Sequence, residues 1–202
     1  MAKRTMNKAS LLLSAALALV VPVACHRAAD APPPLAGARI GGPFVLTDQD
    51  GHRFDSKSLV GRYAIVYFGY TFCPDVCPTD MQKLGKGLRE FEGKDAARAA
   101  KVQPLFITVD PARDTPPVLK QYVAAFHPRL IGLTGSEAEI AAVAKLYAVS
   151  FGKQEPAPGS SGYLMQHSSM AILFGPDGKP IVLVPVDDSA DAVAATLDQW
   201  VR

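Results

Sequence analysis

An apolar segment that leads directly into two cysteines constrains the fold of this chain most. Residues 63–68 read YAIVYF, an aromatic and β-branched run that is typical of a buried strand. The following loop, residues 69–78, carries Cys73 and Cys77, and a helix is predicted to begin near Cys77 or Thr79. Because open α/β sheets place their sites at the carboxyl ends of strands, this order predicts a site at that edge.

The rest of the chain alternates between strand and helix patterns. Strands are predicted over residues 102–109, 130–133, 170–174 and 181–184 with a short hairpin over 44–54, and further helices from Pro116, over 136–147 and over 189–201. The Gly/Pro/Ser-rich segment 150–162 is predicted to be a loop. This succession predicts an α/β fold with a central mixed sheet covered by helices on both faces.

Apolar spacing predicts which helix faces are buried. In the first helix Met81, Leu84, Leu88 and Phe91 recur at three-to-four spacing and are expected in the core, as is Met170 further along. In the second, Val118, Tyr122, Val123 and Phe126 form the apolar face, and in the third it is Ile140, Val143 and Leu146 or Tyr147.

The first 24 residues have the pattern of a secretory signal. Three positive charges, Lys3, Arg4 and Lys8, precede an apolar run over residues 11–21. This run is shorter than the roughly 18 to 20 residues that a spanning helix needs. Cleavage before Cys25 and lipidation of that cysteine are therefore predicted.

An uncleaved short anchor is the alternative, because Pro22 departs from the usual lipoprotein pattern. The Ala/Pro-rich residues 25–39 are predicted to form a semi-rigid tether, and residues 40–202 the globular domain. On either interpretation the domain lies outside the cytoplasm, in the periplasm, and is held at the inner membrane.

Charge and cysteine content exclude several functional classes. The net charge is +2, and it becomes −1 once the three positive charges before Cys25 are removed. A near-neutral domain without a basic stripe argues against nucleic acid as a partner. With Cys25 assigned to a lipid, Cys73 and Cys77 remain as one close pair, which is too few cysteines for a disulfide scaffold.

The cysteine pair has three readings. A helix amino terminus favours the thiolate, the form that binds metal or attacks a disulfide. Cysteines four residues apart on one helical turn would also be close enough to form a disulfide. A purely structural disulfide is disfavoured, because so short a loop constrains little of the unfolded chain.

His167 is the histidine most compatible with a site. His26 belongs to the tether, whereas His52 and His127 are interpreted as turn and loop residues. Two thiolates and an imidazole form a three-ligand set in which thiolates suit Cu(I) and the imidazole helps to accommodate Cu(II). A closed structural zinc site would need a fourth ligand. Met165 would share the face of His167 on an extended segment, although core packing is the favoured role for it.

Three separate motifs, in order, resemble the Sco/SenC family of copper-binding proteins. They are YFGYTFCPDVCP over residues 67–78, TVDP with RDTP over 108–116, and HSS over 167–169 followed by GPDG over 175–178. The resemblance covers residues 40–202. It implies a thioredoxin-like fold, a copper site formed by Cys73, Cys77 and His167, and a role in building the binuclear copper centre of cytochrome c oxidase subunit II.

The resemblance leaves several functions open. Many family members have an acidic residue where this chain has Gln166, and Asp75 or Asp110 would be the nearby sources of negative charge. A copper chaperone needs no turnover chemistry, so it is favoured over an enzyme. The alternatives are a thiol-disulfide oxidoreductase that uses Cys73 and Cys77 as a redox-active pair without copper, a copper sensor, and a peroxidase with Arg113 as its only candidate arginine.

The expected partners follow from the same resemblance. They are subunit II of the oxidase, a second periplasmic copper chaperone or a thioredoxin-like reductant, and the membrane through the amino-terminal anchor.

Overall fold

The computed structural model describes residues 32–155 and 162–202, together with Met1. The predicted signal segment and Cys25 lie outside the described residues, so lipidation stays a prediction. Residues 32–202 form one compact unit. Its folded contacts begin before residue 40, because the Leu35 amide donates to the Ile181 carbonyl over 3.0 Å. In the part of the chain that is described, no helix is long and apolar enough to cross a membrane.

Nine strands and five helices make up the described elements. The strands are β1 (Val45–Asp48), β2 (Arg53–Asp55), β3 (Tyr63–Gly69), β4 (Val102–Thr108), β5 (Ile131–Thr134), β6 (Phe151–Lys153), β7 (Met165–His167), β8 (Ala171–Phe174) and β9 (Pro180–Val184). The helices are α1 (Val76–Lys94), α2 (Ala96–Ala99), α3 (Pro116–Ala124), α4 (Glu137–Leu146) and α5 (Ala190–Trp200), with a 3-10 turn at Ser56–Leu59.

Seven of the strands form one mixed sheet in the order β2-β1-β5-β4-β3-β8-β9. β3, β4 and β5 are parallel, and the remaining pairs are antiparallel. Every residue of β3 and β4 is buried, as expected of parallel strands with both faces covered. β6 and β7 form a separate two-stranded hairpin.

Aromatic packing shows that helices cover both faces of the sheet. On one face Tyr67 of β3 stacks on Phe106 of β4 with ring centroids 6.0 Å apart, and Phe106 packs on Tyr122 of α3 at 5.1 Å. The next residue, Phe68, points to the opposite face and contacts Tyr147 at the end of α4 at 5.7 Å. This α/β architecture is the predicted thioredoxin-like fold, with its mixed sheet between two helical layers.

Close packing of α1 against α5 depends on a glycine. A Cβ placed on Gly87 would lie 2.6 Å from Cβ of Val193 and 2.7 Å from the Ala190 carbonyl oxygen. Real Cβ atoms do not approach other atoms so closely, so the two helix backbones need glycine here. The buried residues of α1 include the predicted Met81, Leu84, Leu88 and Phe91.

Two predictions for the helices and strands need correction. The segment 150–162 is not only a loop, because it contains β6, which pairs with β7. On α3 the predicted Tyr122, Val123 and Phe126 contact the core, but Leu119 takes the place of Val118. Leu119 and Val123 are its buried residues, and they pack on Gly132 of β5, whereas Val118 is half-buried. The helix begins at Pro116 after Thr115, and that start turns positions 119 and 123 toward the sheet.

Candidate metal centre

Both thiols lie at the junction of β3 and α1. Cys77 is in the first turn of α1 and fully buried, and Cys73 is half-buried in the loop before it. The sulfur of Cys77 lies over the end of β3, where a Cβ on Gly69 would be only 3.1 Å from it. Glycine at the end of this strand therefore leaves the space that the buried thiol occupies.

The two cysteines contact each other through the backbone. The amide of Cys77 donates to Sγ of Cys73 over 3.4 Å, and both residues are free thiols. The predicted proximity of the pair is confirmed.

His167 reaches the cysteines from the hairpin. It is the last residue of β7 and pairs with Phe151 of β6. Its Nε2 lies 3.4 Å from Sγ of Cys77, and its Nδ1 lies 3.2 Å from the carbonyl oxygen of Ser168. The edge of the ring meets Tyr70 at right angles, with centroids 5.8 Å apart. An imidazole from late in the chain is thus within contact distance of a thiol at the mouth of β3.

The surroundings of His167 favour a neutral ring with a defined tautomer. Burial lowers the pKa of His167, and the Ser168 carbonyl and the negative charge of Asp80 only partly oppose this effect. Because a carbonyl oxygen only accepts hydrogen bonds, Nδ1 must carry the proton. The lone pair of Nε2 then faces Cys77, which is the arrangement that a metal-binding imidazole needs.

Burial also determines the protonation of Cys77. It raises the pKa of this thiol to about 12, and the nearby sulfur of Cys73 adds to the effect. The expectation that the start of α1 would favour a thiolate is therefore wrong for Cys77, because loss of water outweighs the helix terminus. A metal ion that binds here must displace the thiol proton.

The three residues form a chain of two contacts, with Cys77 in the middle, and do not surround one common point. Cys73 contacts Cys77, and Cys77 contacts His167. Among residues 32–155 and 162–202, no group of three or more His, Cys, Asp or Glu side chains stands ready to hold a metal ion. The donor set itself fits a soft ion such as Cu(I).

A carboxylate that acts electrostatically on His167, that of Asp80, was not anticipated. Asp75 precedes α1 without a side-chain capping bond and is exposed, and Asp110 is committed to an ion pair with Arg113. Instead, Asp80 lies buried behind the site and accepts a hydrogen bond of 2.9 Å from the hydroxyl of Tyr67. Its position three residues after Cys77, on the same face of α1, is the signal that would have identified it.

The remaining sequence predictions around the site have mixed outcomes. Met165 is buried in the main core, so core packing is confirmed for it, as it is for Met81. Met170 is only half-buried, and its assignment to the core is wrong because it lies in the turn between β7 and β8. His127 is buried at the end of α3, with its Nδ1 accepting from the Arg129 amide, and His52 is exposed in a turn.

Comparison with known proteins agrees with this architecture. A family model described as SCO1/SenC matches residues 33–202. The chain belongs to the SCO1/SenC family. It is 42% identical over 154 residues to "Protein SCO2, mitochondrial" of Saccharomyces cerevisiae, which covers 76% of this chain and 50% of that protein. It is 46% identical over 175 residues to "Protein SCO1 homolog 1, mitochondrial" of Arabidopsis thaliana, which covers 83% of this chain and 50% of that protein.

A solved family structure superposes on almost its whole length. The structure of Bradyrhizobium japonicum ScoI with copper bound is 41% identical, with a TM-score of 0.71, and the match covers 80% of this chain and 99% of that one. The chain spans about half the length of the curated relatives named above. The family assignment therefore applies to the folded unit of this chain, and it does not extend to the parts of the curated relatives that the match leaves uncovered.

Proposed function

We propose that this chain binds one copper ion through Cys73, Cys77 and His167 and serves as a copper chaperone in the assembly of cytochrome c oxidase. The observation that carries the proposal is the 3.4 Å contact between Sγ of Cys77 and Nε2 of His167, next to the thiol of Cys73. The copper-bound family member with the same fold supports the choice of metal.

The donor set suits an ion that is to be passed on. Two thiolates and an imidazole accommodate Cu(I), and the imidazole also accepts Cu(II). Burial keeps the imidazole neutral, so it binds metal without loss of a proton, and keeps the Cys77 thiol protonated, so loading releases the Cys77 proton to the solvent. Cys73 and His167 are half-buried whereas Cys77 is fully buried, so an incoming thiolate would replace one of the first two at the ion, and exchange of ligands one at a time would transfer the ion.

The receiving protein in this proposal is cytochrome c oxidase subunit II, at its binuclear copper centre. Delivery to a membrane enzyme agrees with the predicted lipid on Cys25 and a periplasmic location at the inner membrane. A second periplasmic copper chaperone is the proposed source of the ion, and a thioredoxin-like reductant would keep both thiols reduced.

A thiol-disulfide oxidoreductase is the second candidate. Both cysteines are free, and the Cys73 sulfur already contacts the backbone of Cys77. Such an activity would use the two thiols to reduce the cysteines of the oxidase subunit, and it would not need His167. The peroxidase alternative is less favoured, because Nε and Nη1 of Arg113 already donate to Asp110 and to the Tyr163 carbonyl, and only the buried Nη2 has no hydrogen-bond partner.

Metal analysis with visible absorption of the reduced full chain separates these functions. One equivalent of copper and a thiolate-to-Cu(II) charge-transfer band are expected, and Cys73→Ser, Cys77→Ser and His167→Ala should each lose them. His52→Ala is the matched control, because that ring is exposed in a turn. A full equivalent of copper in any of the three variants would remove that residue from the site. Disulfide reduction that persists in His167→Ala, without metal binding by the native chain, would favour the oxidoreductase.

A further inference from the structure

The hairpin that carries His167 has little support of its own. β6 and β7 pair over three residues each and are not part of the seven-stranded sheet. A two-stranded hairpin of this size is marginal in water without other packing. A metal ligand nevertheless has to be held to within about 0.5 Å of its working position. Contacts from outside the hairpin must therefore set the place of His167.

We propose that the loop between β4 and α3, residues 109–115, fastens the histidine hairpin to the cysteine loop, and that Arg113 is its positioning residue. The proposal rests on the proposed function, since the position that it fixes is that of a copper ligand.

On the cysteine side the fastening is made by Asp114. Its side chain is fully buried. It accepts from the amide of Thr71 at 3.0 Å and from the Thr71 hydroxyl at 2.6 Å. It also accepts from the hydroxyl of Thr108, the last residue of β4, at 2.6 Å. Because Thr71 is two residues before Cys73, the cysteine loop is joined to the end of β4.

On the histidine side the fastening is made by Asp110 and Arg113, which both contact Tyr163. The hydroxyl of Tyr163 donates to Asp110 over 2.8 Å, and Nη1 of Arg113 donates to the Tyr163 carbonyl over 3.0 Å. The guanidinium also lies 3.8 Å above the centre of the tyrosine ring. Tyr163 is two residues before β7, so these contacts fix the strand that ends at His167.

Arg113 contacts both sides. Besides Tyr163, its guanidinium lies 4.8 Å from the ring of Phe72 and 5.8 Å from the ring of Tyr70 in the cysteine loop. Its Nε donates to the buried carboxylate of Asp110 over 2.5 Å. One flat cation thus packs between the loop that carries Cys73 and the segment that leads to His167.

The geometry requires arginine rather than any cation. A planar guanidinium stacks on aromatic rings and at the same time donates along its edge to a carboxylate and a carbonyl. A lysine ammonium keeps the charge but cannot do both. Removal of a residue that orients a metal ligand typically weakens metal binding by about 10- to 100-fold, and the same range is expected for Arg113.

The test compares Arg113→Met and Arg113→Lys with Arg98→Met in the full chain. Arg98 is a matched control, because its guanidinium lies 5.2 Å from the ring of Phe91 and pairs with Asp95 and Asp198 far from the site. Cu(I) affinity is measured by competition with a chromogenic chelator. Amide hydrogen exchange of β6 and β7 is measured without metal, so that it reports how firmly the hairpin is held independently of copper.

Arg113→Met is expected to weaken Cu(I) binding at least tenfold, shift the thiolate-to-Cu(II) band and accelerate exchange in the hairpin. Arg113→Lys should recover part of each effect, and Arg98→Met should lower the Tm while leaving affinity within about twofold. Native affinity and spectrum in Arg113→Met, or faster exchange without any change in affinity, would overturn the proposal.

Two further arms keep the outcomes distinct. If Arg113→Met does not fold, Tyr163→Phe removes only the hydroxyl bond to Asp110, and a native affinity and native hairpin exchange there would equally overturn the proposal. If the native chain binds no copper, the proposed function fails, and the positioning proposal, which needs a copper ligand to position, fails with it. If copper binds natively and only the Arg113 variants behave like the control, the positioning proposal fails alone.

Discussion

The two regions that supply the site differ in how they are held. The cysteines stand at the end of β3, a strand whose every residue is buried between two other strands and two helical layers. His167 stands on a hairpin of three residue pairs in which Gln166 and Lys153 are exposed. The difference teaches that the thiols inherit their position from the core, whereas the imidazole depends on a few contacts of its hairpin, those of Met165 with the core and of Tyr163 with the loop between β4 and α3.

The largest expected effect lies on the rigid side of this comparison. Phe106 of β4 is fully buried between Tyr67 and Tyr122. Phe106→Ala should lower the free energy of unfolding of the metal-free chain by about 3–5 kcal/mol, measured by urea denaturation. Leu164→Ala is the control, because that side chain is exposed and its loss should change stability by less than about 0.5 kcal/mol. Equal effects of the two substitutions would contradict the contrast between core and hairpin.

A smaller and more local effect is expected beneath the hairpin. Met165 of β7 is buried in the core cluster, and Met165→Ala removes contacts worth about 2 kcal/mol, at the low end for such a truncation. Hydrogen exchange of β6 and β7 should accelerate by more than tenfold, whereas amides of β3 and β4 change less. Uniform acceleration across all four strands would show that the hairpin opens only with the whole domain.

The smallest expected effect concerns the far edge of the sheet. Glu139 accepts from the amide and hydroxyl of Ser136 and pairs with Arg53 of β2, and these partners lower its pKa to about 2. Since the folded-state pKa lies below the unfolded value of 4.5, the stabilisation is present above pH 4.5. It is lost as the pH falls toward 2.

This contribution is small because the side chain is partly exposed. Glu139→Gln should cost about 0.5 kcal/mol at pH 7, and the difference from the native chain should vanish near pH 2 in thermal melts. Copper affinity should not respond, since neither Glu139 nor Arg53 contacts a site residue. If the stability lost in Glu139→Gln grew as the pH fell, the lowered pKa of Glu139 would be contradicted.

Local patterns in the sequence predicted the rigid half of the site well. The run YAIVYF, the following cysteines and the apolar spacing of α1 are contiguous, so strand, loop and helix could be read from neighbouring residues. The hairpin was only half recognised, because the three residues of β6 lie in a segment rich in Gly, Pro and Ser that resembles a loop. His167 gained its weight from its place just before the penultimate hairpin of the predicted fold, and then from the family resemblance.

Properties set by distant residues could not be read from the sequence. Asp114 and Thr71 are 43 positions apart, and Arg113 and Tyr163 are 50 apart. Neither pair has a local pattern that announces it. The high pKa of Cys77 has the same origin, since burial by the assembled fold outweighs the start of α1.

The acceptor that orients the imidazole is a main-chain oxygen, that of Ser168. A carbonyl group is present whichever amino acid occupies this position, so the backbone rather than a genetic choice of side chain selects the tautomer. Mutation can remove the imidazole itself or the contacts that place its strand. No single substitution at position 168 can remove the carbonyl oxygen that holds the proton on Nδ1 and leaves Nε2 unprotonated toward the thiol of Cys77.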